Sequence, residues 1–210
     1  MLWSRFIQPR IISFACGTKP FMIQRTKIIP FAEGNVLEIG IGSGLNIPLY
    51  DTDLVKKIVG VDPSAAMHSL AKERINESPV SIEFISADAA EIPLQDQSID
   101  TIVCTYTLCS VSNPQQVLKE VKRLLKPGGK FLFSEHGNAP DESVVKFQHK
   151  LEPIWKFLAD GCHLTRSIPD LLDESDMKID KIETMYLPKT PRFVGYNYWG
   201  MAVNDIAINI

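Results

Sequence analysis

The 210-residue sequence predicts a doubly wound α/β fold, one domain spanning 1–210 with a mostly parallel sheet between helices. Three observations carry this expectation. Short apolar runs recur at Val36–Ile39, Ile58–Val61, Ser81–Ile85, Ile99–Cys104 and Lys130–Ser134. Longer segments with helical spacing separate several of them. Turn and cap signals fall between the two kinds of segment, as right-handed βαβ units require.

Taken in order, residues 1–35 mix aromatic side chains with Arg5, Arg10, Lys19, Arg25 and Lys27. They are expected to form one or two short helices that cover a crevice. Leu2, Trp3, Phe6 and Ile7, interleaved with arginine, leave room for weak peripheral membrane contact. The first strand runs into Glu38-Ile39-Gly40-Ile41-Gly42-Ser43-Gly44-Leu45-Asn46. Alternate glycines let the backbone take positive φ and let a ligand approach where a Cβ would collide. Asn46 is expected to open a helix whose N–H groups face the same crevice. In G-x-G-x-x-G the turn cradles a pyrophosphate. Here the third glycine comes one residue earlier and Glu38 lies two residues before the first. A carboxylate there disfavours a pyrophosphate and suits a cationic ligand.

The second strand ends in Asp62, eighteen residues after Gly44, where such folds hold ribose hydroxyls. Pro63-Ser64 opens a helix through about Asn76. The third strand leads to Asp88-Ala89, expected near an adenine edge. The fourth strand ends at Cys104-Thr105. Asn113-Pro114 caps a helix reaching Leu125, and Lys126-Pro127-Gly128-Gly129 turns the chain into the fifth strand. The alternation then breaks. Residues 138–166 form a helical insertion, with Val144, Phe147, Leu151, Ile154, Trp155 and Leu158 at helical spacing. Surplus segments of this kind commonly carry function, and Phe147, Trp155 and Phe157 beside Asp160-Gly161-Cys162-His163 suggest an apolar lid over a substrate site. A helix near Pro169–Ser175 and strands near Lys178–Leu187 and Tyr196–Val203 complete the chain.

Composition narrows the function. A net charge of −3 with mixed signs gives no basic footprint for nucleic acid. Cys16, Cys104, Cys109 and Cys162 show no C-x-x-C spacing, so they read as reduced thiols, with no metal site expected, in a cytoplasmic protein. No apolar run approaches the length of a membrane span.

The stretches Glu38–Asn46, Asp62 and Asp88 together resemble those of the class I S-adenosylmethionine-dependent methyltransferases. Cys104-Thr105-Tyr106-Thr107-Leu108-Cys109-Ser110-Val111 and Asp160-Gly161-Cys162-His163-Leu164-Thr165-Arg166 resemble their counterparts in the methyltransferase-like thiol S-methyltransferases. The resemblance implies a seven-stranded Rossmann-like sheet with an antiparallel terminal strand, and S-adenosylmethionine as cofactor. It implies cofactor contacts at Glu38, Gly40, Gly42, Gly44, Asn46, Asp62, Pro63, Asp88, Ala89 and Thr105. Acceptor contacts are expected at Leu108, Cys109, Trp155 and Cys162, with His136 and His163 as candidate bases. The acceptor is expected to be a small molecule, a thiol in the first instance. Carbon methylation of a quinone or menaquinone precursor is the alternative, and a non-catalytic cofactor-binding protein a third reading. Little base strength is needed for a thiol, since a pKa of about 8.5 already supplies some thiolate at neutral pH.

Overall fold

A computed structural model describes residues 7–205. Two short helices come first, α1 (Gln8–Cys16) and α2 (Lys19–Arg25), followed by β1 (Gly34–Ile39) and β2 (Val55–Val61). Then come α3 (Ala65–Glu77), β3 (Ser81–Ile85), β4 (Ile99–Thr105), α4 (Pro114–Leu124) and β5 (Leu125–His136). The insertion supplies α5 (Glu142–Leu158), and α6 (Ile168–Asp173), β6 (Lys178–Tyr186), α7 (Arg192–Gly195) and β7 (Tyr196–Val203) close the chain. The seven strands form one sheet in the order β3-β2-β1-β4-β5-β7-β6. β7 runs antiparallel to both its neighbours, and the other six strands share one direction. The expected doubly wound sheet with its antiparallel terminal strand is therefore present.

Alternation along the central strands sorts the core onto two faces. Leu37, Ile39, Ile102, Cys104, Phe131 and Phe133 join one buried cluster. Val36, Ile58, Val103, Leu132, Tyr50 and Trp199 join the other. Strand order reverses between β1 and β4, and a crevice opens there at the carboxyl ends, where open α/β sheets hold their ligands.

Local signals account for the helix starts. The Ser64 hydroxyl accepts from Met67 N–H to cap α3, and the Asn113 side chain accepts from Gln116 N–H ahead of Pro114 to cap α4. One expected helix is absent. After Asn46 the chain makes only a 3-10 turn, Ile47–Leu49, before Tyr50 becomes extended. The Asn46 side chain makes no cap bond there, because it is drawn inward to Glu38 and Thr105.

The insertion also differs from a simple apolar wall. Phe147 and Trp155 pack edge-on against Phe193 of α7, while Phe157 is 74% exposed. The buried Gln148 amide ties α5 down further, donating to the carbonyls of Gly137 and Phe193 and accepting from Ala139 N–H.

Candidate active site

The cleft at the strand-order reversal has a volume of about 340 Å³, within the range that small-molecule sites occupy. Its floor is the turn after β1. Gly40 and Gly42 take φ of +68° and +54°. A Cβ on Gly40 would lie 2.2 Å from Thr107 Oγ1. A Cβ on Gly42 would meet nothing closer than Gly40 O at 3.8 Å, and Gly42 lines the cleft. The first glycine thus permits chain packing and the second keeps a ligand cradle open.

Asp62 stands at the tip of β2, only 9% exposed. Its carboxylate accepts from Gly42 N–H at 3.0 Å and from Ser64 N–H at 2.8 Å. Burial raises its pKa, against the lowering effect of those two bonds. Asp62 therefore also holds the glycine turn in place. Asp88 is exposed at the rim, beside buried Ala89, and its side chain accepts from Ala90 N–H. Gly40, Gly42, Asp62, Pro63, Asp88, Ala89 and Thr105 all line the cleft.

Glu38, Gly44 and Asn46 do not line it. Glu38 is 1% exposed and lies one layer behind, accepting from Asn46 Nδ2 at 2.9 Å and from the Tyr50 hydroxyl at 2.7 Å. Burial pushes its pKa up to about 7, although Tyr50, the Arg25 charge and Asn46 all favour the carboxylate. A Cβ on Gly44 would meet Ile47, Ala71 and Arg74, so this glycine permits chain packing.

The roof comes from the N-terminal helices. Ile12, Ser13, Cys16 and Arg25 line the cleft, and the Ser13 hydroxyl donates to Ser43 Oγ at 2.7 Å. Arg25 is the residue that sequence reasoning missed as a site residue. Its guanidinium is 5% exposed, and Nη1 donates to Asn46 Oδ1 at 2.9 Å and to Thr105 Oγ1 at 2.5 Å. Nε is buried without a partner, and no ion pair involving Arg25 occurs among the described residues. Its guanidinium lies 5.0 Å from the centroid of the Tyr106 ring, and the Asn46 amide links it to Glu38, one layer behind the cleft. Nothing in the spacing distinguishes Arg25 from the other basic residues of 1–35.

The side chains expected to touch the acceptor assemble elsewhere. Leu108, Cys109, His136, Trp155, Cys162 and His163 do not line the cleft, although Thr107, Ser110, Ala159 and Asp160 beside them do. His136 Nε2 lies 2.8 Å from Cys162 Sγ, and Trp155 Nε1–H donates to the same sulfur at 3.2 Å. Burial disfavours the His136 imidazolium, but the adjacent Cys109 sulfur and Glu135 carboxylate outweigh it and raise the pKa. His163 Nδ1 lies 2.8 Å from Glu152 Oε1, which makes it a tie within the insertion, and burial lowers its pKa. His149 is exposed on α5. Among the described residues Arg166 makes no ion pair; it donates to the carbonyls of Leu108 and Val111, and His163 N–H donates to Cys109 O at 2.8 Å. Glu135, fully buried, accepts from the backbone N–H groups of Thr107, Leu108 and Cys109. Tyr106 and Asp160, at φ of +55° and +51°, are non-glycine residues in the left-handed region, and both line the cleft.

Comparison with known proteins matches residues 37–133 to the family described as "Methyltransferase domain". Rat thiol S-methyltransferase TMT1B is 37% identical over 172 residues, covering 78% of this chain and 70% of that protein. Human thiol S-methyltransferase TMT1A is 33% identical over 178 residues, covering 83% and 72%. A methyltransferase solved in complex with the Haloferax volcanii Trm112 methyltransferase activator superposes with a TM-score of 0.72 at 19% identity, covering 96% of each chain. A Bacillus halodurans methyltransferase gives a TM-score of 0.69 at 16% identity, covering 87% of this chain and 98% of that one.

Fold and relatives together define a class I methyltransferase that uses S-adenosylmethionine. Within that class, the chain belongs to the family of the thiol S-methyltransferases TMT1A and TMT1B.

Proposed function

We propose that the protein methylates the sulfur of a small thiol. The observation that carries this reading is the meeting of 104–111 with 160–166, the two stretches that most resemble the thiol S-methyltransferases. They are joined backbone to backbone by His163 N–H to Cys109 O and by Arg166 to the Leu108 and Val111 carbonyls. No histidine lines the cleft among the described residues. A thiol brings its own nucleophile at neutral pH, whereas a carbon acceptor needs an electron push.

The cofactor supplies an activated methyl group on a sulfonium, and the chain supplies position and dryness. In this reading the Gly40–Gly42 turn and Asp62 hold the ribose end, with Asp88 and Ala89 at the adenine end. Arg25 receives the α-carboxylate and Glu38, reached through the Asn46 layer, favours the α-ammonium. The buried unpartnered Arg25 Nε and the open space above Gly42 both suit such a ligand.

Transfer of radiolabelled methyl from S-adenosylmethionine to a panel of small thiols, with a demethylated quinol in parallel, tests the reading. Thiol turnover with little quinol turnover is expected. Quinol turnover with no thiol product would reverse it, and cofactor binding without any turnover would favour a non-catalytic protein. A demethylmenaquinone methyltransferase from Paenarthrobacter aurescens, 30% identical over 134 residues, makes the quinol the fair competitor.

Weak contact with a lipid surface belongs to the same proposal. Ile11 and Phe14 of α1 and Ile154, Phe157 and Leu158 of α5 are exposed, and Gln8 Nε2 donates to the Phe157 and Leu158 carbonyls where the helices meet. Leu2, Trp3 and Phe6 lie outside the described residues. No described helix is long and apolar enough to cross a membrane.

A further inference from the structure

Behind the cleft wall, three side chains from separate segments converge. Cys109 comes from the loop after β4, His136 is the last residue of β5, and Cys162 lies in the loop after α5. They are 2%, 5% and 7% exposed, and their Sγ, ring-nitrogen and Sγ atoms all lie within 4.8 Å of one another. Spacing along the chain does not reveal this, because Cys162 lies 26 positions after His136 and His136 27 after Cys109. The methyl transfer described above does not use them, since direct transfer requires no nucleophile from the protein.

We propose that Cys109, His136 and Cys162 form a binding site for a thiophilic divalent cation of the Zn²⁺ class. Two sulfurs and one imidazole nitrogen are the donor set that selects such an ion over hard cations. Charge points the same way. Two thiolates and one dication sum to zero, so the occupied site brings no net charge into a buried place, and the two thiol protons leave to solvent.

Geometry asks for little movement. Tetrahedral bonds of about 2.0–2.3 Å separate donor atoms by roughly 3.4–3.8 Å. The His136–Cys162 edge, now 2.8 Å, must open by under about 1 Å, and since no edge exceeds 4.8 Å none need close by more than about 1 Å. Part of the supporting shell is already in place. Glu135 fixes the Cys109 loop through three backbone N–H groups, and Trp155 Nε1–H donates to Cys162 Sγ. A metal bond at His136 Nε2 puts the ring proton on Nδ1, which is buried without a partner, so occupancy also asks for a water or carbonyl acceptor there. Three protein donors leave one tetrahedral position for water or another outside ligand. The ion would also pin the 138–166 insertion to the carboxyl ends of the strands.

Titration of the reduced, chelator-treated full-length protein with Co²⁺ under anaerobic conditions tests the site. One equivalent is expected to bind, with the intense visible and thiolate charge-transfer absorption of a tetrahedral site, and Zn²⁺ should displace it. Cys109→Ser and Cys162→Ser should each weaken Co²⁺ binding at least ~100-fold and diminish the charge-transfer bands. His136→Gln should weaken binding but keep those bands, which covers the case in which a serine variant fails to fold. Exposed His149→Gln should change nothing. Affinity for S-adenosylhomocysteine, measured on the same samples, reports the cofactor site separately. Absence of Co²⁺ absorption in reduced parent protein that still binds S-adenosylhomocysteine would overturn the proposal. So would absorption that survives Cys109→Ser and Cys162→Ser together, or a Cys109–Cys162 disulfide in a protein that takes no cobalt once reduced.

Discussion

The two sides of the crevice are built by different means. The side proposed to hold the cofactor, from β1 to the start of the loop after β3, uses neighbours in sequence. Gly40, Gly42, Asp62 and Asp88 sit at consecutive strand ends, and backbone geometry does most of the shaping. The side proposed to face the acceptor, from Thr105 to Arg166, is backed by residues that only the fold brings together. Cys109, His136, Trp155 and Cys162 come from four segments, and their positions depend on Glu135, Gln148 and Arg166 in turn. A site made from turns tolerates change around it. A site made from tertiary contacts loses several of its parts when one support goes.

The same contrast explains what the sequence revealed. A glycine turn after an apolar run and an acidic residue at the next strand tip are local statements, legible without an alignment. Residue spacing cannot report that Phe157 points outward, that Phe147 and Trp155 are occupied with Phe193, or that Cys162 meets His136. It cannot report Arg25 either, since a cation in a cover helix reads the same whether it faces solvent or a cofactor. The short turn after Asn46 escaped for a related reason. Its side chain is committed to Glu38 and Thr105, partners eight and fifty-nine residues away.

The sharpest way to break the cofactor side is Gly42→Val. A β-branched residue at φ +54° is strained by roughly 1–2 kcal/mol, and its side chain fills the cradle that the missing Cβ leaves. Affinity for S-adenosylhomocysteine should fall at least ~100-fold while the folded far-ultraviolet dichroism persists. Retained affinity in a folded variant would mean that the ligand does not pass over this turn.

Next in size is Arg25→Ala. Loss of a charge-assisted contact of about 2–3 kcal/mol should weaken S-adenosylhomocysteine by roughly 30–150-fold. Methylthioadenosine, which lacks the carboxylate, is the control and should bind the variant and the parent about equally. Equal losses for both ligands would make Arg25 a support for Asn46 and Thr105 and nothing more.

Asp62→Asn should cost less, about 10-fold in cofactor affinity, since the amide keeps part of the ribose contact and one of the two backbone bonds, its single oxygen accepting from Gly42 or from Ser64 but not from both. Asp62→Ala should be clearly worse than Asp62→Asn, because it also frees the turn. If the two variants bind alike, the backbone bonds to Asp62 contribute nothing to the cradle.

The smallest effect is read from pH. Glu38 keeps its proton up to about pH 7 in the folded chain, against an ordinary value of 4.5. Between those values the folded state holds a proton that the unfolded state has released, so stability falls as pH rises through the window. The benefit is full below the unfolded value and is lost as pH passes the folded one. From about pH 6 to about pH 8 the loss is ~1.3 kcal/mol, or roughly 3–5 °C in melting temperature for a chain of this size. Glu38→Gln removes the titration, so the gap in melting temperature between parent and variant should change by that amount over the same range. Saturating S-adenosylhomocysteine should shrink the change in the parent, because an ammonium near Glu38 stabilises the carboxylate and lowers the pKa. A gap independent of pH would mean that Glu38 is ionised throughout, paired through Asn46 with Arg25 strongly enough to overcome its burial.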